Sequence, residues 1–431
     1  MKRKFLDKLL TWKKSNIKLP LLLIGARQTG KTYILKQFCA EYFPEYIYIN
    51  FDEKSEYLSF FEDSLNPEEI IRKIEVYLGR KIDIETTILF FDEIQLSEKA
   101  VGSLKYFNES DKNYKIVCAG SLLGVAMNRF KSSFPVGKVY FEFLHPMDFE
   151  EFLLAIGEEL LNREIKNAFH DLKPLNETLH KKALDLYHIY LCVGGMPQAI
   201  QEYLNKNKDL VNFDRNIHQN IIFSYLADMA KYTTSTQAIK THQVYHSIPA
   251  QLSKKNKKFF YKLVAEKAKK EGYESSINWL LQADLLTKAV KISLPQPPLS
   301  AYQEHGYFKL YLSDVGLLTA LSKMQFSEIL LNSNMIYRGI LTENFVAQSF
   351  KSKGYDLFYW ESDSQAEVDF LLNINGRVIP VEVKSGDHTA SKSLNSYIKK
   401  YHPEYAVRIS SKNFGFTNGI RSIPLYAVCN L

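Results

Sequence analysis

The stretch LPLLLIGARQTGKTYILKQF, which begins at Leu19, constrains the chain more than any other. An apolar, β-like run from Leu21 to Ile24 enters a glycine-bearing turn and leaves it as a helical pattern. In that context the spacing G-x-x-x-x-G-K-[ST], here Gly25 to Thr32, has a physical meaning. Gly25 and Gly30 let the backbone curl, so that the N–H groups of Ala26, Arg27, Gln28 and Thr29 point at phosphate oxygens. The helix that follows adds the positive end of its dipole. Lys31 would reach the β and γ phosphates of a bound nucleotide, and the Thr32 hydroxyl would take a place on Mg2+.

A second run, TTILFFDEIQ, reads as a strand buried on both faces that ends in Asp92 and Glu93. A parallel central strand delivers acid groups at its carboxyl end in this way. Asp92 would hold the Mg2+ ion and Glu93 would polarise an attacking water. A glutamate directly after the metal aspartate favours ATP over GTP as the nucleotide, although no residue visibly reads the base. A third apolar run, YKIVCAGS, ends in Ser121 and would place its hydroxyl beside the γ phosphate.

GARQTGKT, the FFDEIQ strand, CAGSLLG and the later FLHPMDFEEF together resemble the AAA-type ATPases that carry a DUF4143-like C-terminal region. The resemblance covers nearly the whole chain. It implies a five-stranded α/β core, a small helical lid, a Walker B role for Asp92, a sensor role for Ser121, and a homo-oligomer with an arginine supplied in trans. Where that family tends to place an arginine after a Pro/Gly turn, this chain reads FPVGKVYF, with Lys138. Arg129 is then the candidate arginine finger, with an ordinary surface arginine as the alternative.

From Pro146 the apolar spacing turns helical, and Gly194, Gly195 and Pro197 interrupt it as a tight connection. Short helical patterns around HQVYHSIPAQLS, KKFFYKLVAEKA and SSINWLLQADLLTKAV precede two strand-like pieces, one from Leu286 and one at YFKLYLSD. Helices followed by a hairpin predict a winged helix, and the region resembles its counterpart in the same family down to FKLYLSDVGLL. Lys254, Lys255, Lys257, Lys258, Lys262, Lys267, Lys269 and Lys270 crowd this stretch. They suit a phosphate backbone or a solvated helix face; the first leads to DNA as the favoured partner. The net charge of +7 on 431 residues decides nothing by itself.

The hairpin AEVDFLLNINGRVIPVEVKSG carries the second candidate site. Asn375-Gly376 is the preferred pair for a two-residue turn, and such a turn fixes the register: Ile374 faces Arg377, Asp369 faces Glu382, and Glu367 faces Lys384. Val368, Phe370 and Leu372 then share an apolar face with Val383, Val381 and Ile379. Two opposed carboxylates repel unless something lies between them, and their spacing suits a shared divalent cation. Asp369, Glu382 and Lys384 resemble the PD-(D/E)XK nuclease pattern, and Glu343 lies where a preceding helix would complete the metal site. A plain cross-strand ion pair between Glu367 and Lys384 is the structural alternative.

Four scattered cysteines without a CxxC exclude a zinc or disulfide framework. No apolar run approaches the roughly 20 residues of a membrane span, so a cytoplasmic protein without a membrane partner is expected. The expectation is a multidomain α/β chain: a P-loop AAA+ core at 1–145, a helical lid at 146–235, a winged helix at 236–325 and a PD-(D/E)XK nuclease-like domain at 326–431. It would bind ATP or ADP with Mg2+, hydrolyse ATP, and couple nucleotide state to a nuclease-like site acting on DNA. The alternative is a regulatory ATP switch, or a nucleic-acid remodeller, whose C-terminal domain binds a partner without cutting.

Overall fold

A computed structural model describes residues 1–15, 18–121, 135–331, 335–362, 366–386 and 392–431. Contacts divide the chain into two units. The first holds Arg3–His145 and Gln282–Asp284; the second holds Met1–Lys2, Pro146–Leu281 and Leu285–Leu431.

The first unit is built on five strands: β1 (Leu21–Ile24), β2 (Glu45–Asn50), β3 (Thr87–Asp92), β4 (Lys115–Gly120) and β5 (Tyr140–Phe143). They lie in the order β2-β3-β4-β1-β5, and every pairing is parallel. The unbroken apolar runs follow from this placement, because a central parallel strand is covered on both faces. Leu21, Leu23, Ile88 and Phe90 pack against helices Phe5–Lys14 and Lys31–Tyr42, whereas Leu22, Ile24, Leu89 and Phe91 pack with Ile70, Ile74 and Leu104. The carboxyl ends of β1, β3 and β4 therefore carry Gly25, Glu93 and Ser121 directly after them.

The second unit begins with a helical region, where Gly194 has φ 75° and ψ −169°, a conformation open essentially only to glycine. A Cβ there would lie 2.3 Å from Asp314 Oδ1 and 2.8 Å from Gly316 Cα. Asp314 is completely buried and its carboxylate accepts from the N–H groups of Gly195 (2.6 Å) and Leu317 (3.0 Å). The Gly-Gly turn is thus a site of close backbone approach.

Beyond it runs an eight-stranded sheet. Its strands are β6 (Leu286–Ile292), β7 (Gln303–Leu312), β8 (Leu357–Glu361), β9 (Glu367–Ile374), β10 (Arg377–Val383), β11 (Ala406–Ser410), β12 (Gly415–Thr417) and β13 (Ile420–Pro424), in the order β12-β13-β11-β10-β9-β8-β6-β7. The hairpin β6–β7, expected in a winged helix, pairs through β6 with β8 in parallel. The regions expected at 236–325 and 326–431 therefore share one hydrogen-bonded sheet.

The β9–β10 hairpin has the register its turn dictates, with Ile374 opposite Arg377 and Phe370 opposite Val381. Asn375 and Gly376 both have positive φ, as a type I′ turn requires. One detail of the expected apolar face is corrected. Against β8, Leu371 pairs with Phe358 but Val368 pairs with Trp360, a bulge that turns part of the strand over. Val368 consequently clusters with Leu371, Leu394 and Tyr397, while Phe370 meets Phe350 of helix Met335–Ser352 and Tyr311 of β7. Helices cover both faces, so the hairpin's polar groups are drawn into the interior.

Gly194→Ala should lower the unfolding free energy by about 3 kcal/mol, since it adds backbone strain to a clash. Gly354→Ala, also at positive φ but with nothing within 4 Å of its Cβ, should cost only about 1 kcal/mol. Thermal unfolding midpoints of the two variants check the difference.

Candidate functional site

The first site forms where β1 turns into helix Lys31–Tyr42. Gly25 has φ 148°, and a Cβ on it would stand 2.3 Å from the Leu144 carbonyl oxygen. The turn continues through Gln28 (φ 64°) and Gly30 (φ 93°). Lys31 folds back under the loop and its ammonium donates to the carbonyls of Gly25 (2.9 Å) and Ala26 (2.7 Å). Burial holds its pKa down at about 8. A buried ammonium at a helix N-terminus, beneath a cradle that only glycine permits, fits a phosphate chain. Thr29 ties the loop internally by donating to Ala26 O at 3.0 Å, and Arg3 donates to the carbonyls of Thr29 (2.8 Å) and His145 (2.7 Å).

Asp92 is buried at the end of β3, where burial raises its pKa and hydrogen bonds from Tyr48 and Thr32 oppose the rise. The Tyr48 hydroxyl donates to Asp92 Oδ2 at 2.8 Å. The Thr32 contact brings the two expected Mg2+ ligands together. Glu93 follows in the left-handed region (φ 53°), and its side chain accepts from Ser121 Oγ at 3.0 Å and from Gln95 Nε2. Glu93 and Ser121 therefore meet across β3 and β4. Arg129 lies outside the described residues, and Lys138 pairs with Glu109 at 3.0 Å.

Sequence reasoning passed over Tyr48, Gln95 and Asp284. Tyr48 and Gln95 reach the acid pair through strand order and a short turn. Asp284, 139 positions from its partner in sequence, hydrogen bonds His145 Nδ1 at 3.0 Å within the same unit.

The second site lies on the eight-stranded sheet, in an open groove of about 720 Å³ lined by Lys254, Lys255, Lys257, Glu367, Asp369, Glu382 and Lys384 among others. Asp369 Oδ2 accepts from the Val383 N–H at 2.7 Å. Glu382 is 3% exposed; one of its oxygens meets Lys384 at 2.5 Å, and Oε2 is buried without a hydrogen-bond partner. Burial, then Glu343 and Glu382, push the Asp369 carboxyl well above the usual carboxylate range. An orphaned carboxylate oxygen and a carboxyl strained by like charges fit a divalent cation shared by Asp369 and Glu382.

Glu343 is committed elsewhere. Its oxygens accept from Tyr311 (2.6 Å) and Lys309 (3.3 Å) and pair with Lys257. Burial pushes its carboxyl up, but the two lysines outweigh that and hold it low. Among the described residues, no group of three His, Cys, Asp or Glu side chains is placed to hold a metal together. The cross-strand pair of Glu367 with Lys384 is not made: Glu367 pairs with Lys309 and Lys384 with Glu382. Lys309 and Tyr311 gave no sequence signal beyond apolar alternation in β7. Nothing local connects them with Glu343, 34 and 32 positions on.

Residues 18–153 match the model of the AAA domain. The chain contains an AAA domain over these residues. Residues 184–328 match a domain of unknown function (DUF8612), and residues 338–428 match another (DUF4143). No curated protein matches the chain. Solved structures similar to it include a Walker-type ATPase of Pyrococcus abyssi, at 16% identity over 74% of this chain and 95% of that one (TM-score 0.43). The Aeropyrum pernix ORC1 protein in complex with DNA matches at 15% identity over 76% and 92% (0.27). The ORC2 protein of the same organism matches at 10% identity over 78% and 91% (0.32). No helix among the described residues is long and apolar enough to cross a membrane.

Because burial holds the Lys31 pKa down at about 8, a phosphate placed on its ammonium should raise it. Nucleotide binding at pH 8.5 is then expected to take up a proton, and binding at pH 6.5 to take up far less. Calorimetry in buffers of different ionisation enthalpy reads the uptake directly.

Proposed function

We propose that the protein binds ATP with Mg2+ and hydrolyses it, and that nucleotide state controls a nuclease-like site in the C-terminal sheet acting on DNA. The observation that carries the ATPase reading is the gathering of Lys31, Thr32, Asp92, Glu93 and Ser121 at the carboxyl ends of β1, β3 and β4. In this reading the backbone N–H groups from Ala26 to Gly30 cradle the phosphates. Lys31 leaves the Gly25 and Ala26 carbonyls for the γ phosphate. Thr32 and Asp92 would hold a Mg2+ ion, whose charge would offset that of the transferred phosphoryl group. Glu93, released from Ser121 and Gln95, accepts a proton from the attacking water, and Ser121 becomes free to donate to the γ phosphate.

The C-terminal reading is supported by Asp369, Glu382 and Lys384 lining one groove with lysines at its rim. Asp369 and Glu382 would hold a divalent cation that stabilises charge on phosphorus, and Lys384 would orient the water and help to deprotonate it. The lysine rim suits a nucleic-acid backbone. A homo-oligomer with Arg129 supplied in trans belongs to the same proposal. The second reading is an ATP switch whose C-terminal domain binds a partner without cutting. It is favoured by the engagement of Glu343 with Lys257, Lys309 and Tyr311.

Lys31→Ala should abolish ATP hydrolysis. Glu93→Gln should keep nucleotide binding but slow turnover by roughly 100-fold or more, as expected for a lost general base. Labelled single-stranded DNA, duplex DNA and RNA, incubated with Mg2+ with and without ATP, decide the second domain. Cutting lost in Asp369→Asn while ATP hydrolysis survives supports the nuclease; no cutting on any substrate supports the switch.

A further inference from the structure

The groove on the eight-stranded sheet carries an aromatic ring as well as charge: Phe260 lines it beside Lys254, Lys255 and Lys257. A single exposed apolar ring is ordinary on a protein surface, but this one is held in place from below. The buried Gln251 side chain clamps the Phe260 backbone, accepting from its N–H at 2.9 Å and donating to its carbonyl at 3.0 Å. The preceding Phe259 is buried against Phe308 of β7, with ring centres 5.4 Å apart, and donates its N–H to the Phe308 carbonyl at 2.9 Å. The chain neighbours of this buried pair, Phe260 and Tyr307, are 43% and 51% exposed. Lys258 and Lys291 stand 5.5 and 5.2 Å from the centre of the Tyr307 ring, and Lys258 also pairs with Glu361 of the groove lining at 2.5 Å. Two exposed rings thus stand among lysines at one groove.

Lysines alone follow any phosphate backbone and do not distinguish one strand from two. An aromatic ring does, because an unpaired base offers a free face for stacking, whereas the bases of a duplex are already stacked on their neighbours. We propose that the groove takes an unpaired nucleic-acid strand, with a base stacked on Phe260, its backbone on Lys254 and Lys255, and Tyr307 extending the platform. The inference rests on the nucleic-acid part of the reading above and is independent of a metal and of cutting. The lysines select a polyanion, and the ring selects the polyanion that has apolar faces. The space agrees: about 720 Å³ is the size of a small-molecule pocket, room for unpaired nucleotides but not for the girth of a double helix. The Gln251 clamp adds to the affinity, since a ring whose backbone is already fixed loses less freedom when a base stacks on it.

Fluorescence anisotropy of labelled oligonucleotides with the full-length protein in EDTA, where nothing is cut, tests this. A single strand should bind about ten-fold or more tightly than a blunt duplex of the same sequence. Phe260→Ala should weaken the single strand about ten-fold and leave the duplex unchanged, and Phe260→Tyr should restore the affinity. A strand of abasic deoxyribose phosphates keeps the charge and lacks the bases. It should bind the unaltered protein at least as weakly as the normal strand binds Phe260→Ala, an arm that needs no variant to fold. Lys254→Gln combined with Lys255→Gln should weaken single strand and duplex alike and flatten the dependence on salt. Equal affinity for the single strand, the duplex and the abasic strand, with the lysine variant weakening all of them, would overturn the stacking and leave the nucleic-acid reading standing. Binding of none of them, or of a polyglutamate peptide in their place, would overturn the two together.

Discussion

Lys309 is completely buried, and a buried ammonium persists only where carboxylates compensate it. Glu343 and Glu367 do so, and they fix much of the second unit in doing it. Glu343 projects from helix Met335–Ser352 and Glu367 opens β9, so one lysine on β7 ties a helix and two strands of the eight-stranded sheet together. Removing either carboxylate would strand a charge in the interior, at a cost of about 3 kcal/mol or more. The same constraint explains why Asp369 and Glu382 can stand close to each other: the neighbouring lysines reduce a repulsion that bare burial would make prohibitive.

The first unit solves the same problem in the opposite sense. Lys31 is buried without a direct carboxylate bond and rests on two backbone carbonyls, so burial wins and its pKa falls. A lysine compensated this weakly is poised for an anion. Glu93, by contrast, is held by Ser121 and Gln95, a position that a nucleotide would have to relax before the glutamate could meet water. The two units thus use buried charge differently: one keeps a cation under-compensated for a ligand, and the other fills an acid groove with cations of its own.

Local chemistry made much of this legible in the sequence. The spacing from Gly25 to Thr32 needs only a strand, a turn and a helix. Asp92, Glu93 and Ser121 each follow an apolar run, so parallel pairing is enough to gather them. The Asn375-Gly376 turn fixed the hairpin register by arithmetic as far as Phe370 opposite Val381, and Asp369 and Glu382, just beyond it, line one groove. What could not be read depends on contacts between distant segments. Lys309 and Tyr311 become part of the acid site only because β7 and the Glu343 helix pack together. The bulge that turns Val368 away from Phe370 arises from pairing with β8, which leaves no mark within β9. Likewise, pairing of β6 with β8 joins the hairpin region to the C-terminal sheet, although a helices-then-hairpin pattern reads as a domain of its own.

A crystal structure of the full-length protein soaked with Mn2+ and a non-hydrolysable ATP analogue, with data collected at the manganese absorption edge, tests the account most directly. The account predicts the triphosphate on Lys31 and an anomalous peak between Asp369 and Glu382. Nucleotide on Lys31 with no manganese at these carboxylates would contradict it and make the C-terminal sheet a binding domain.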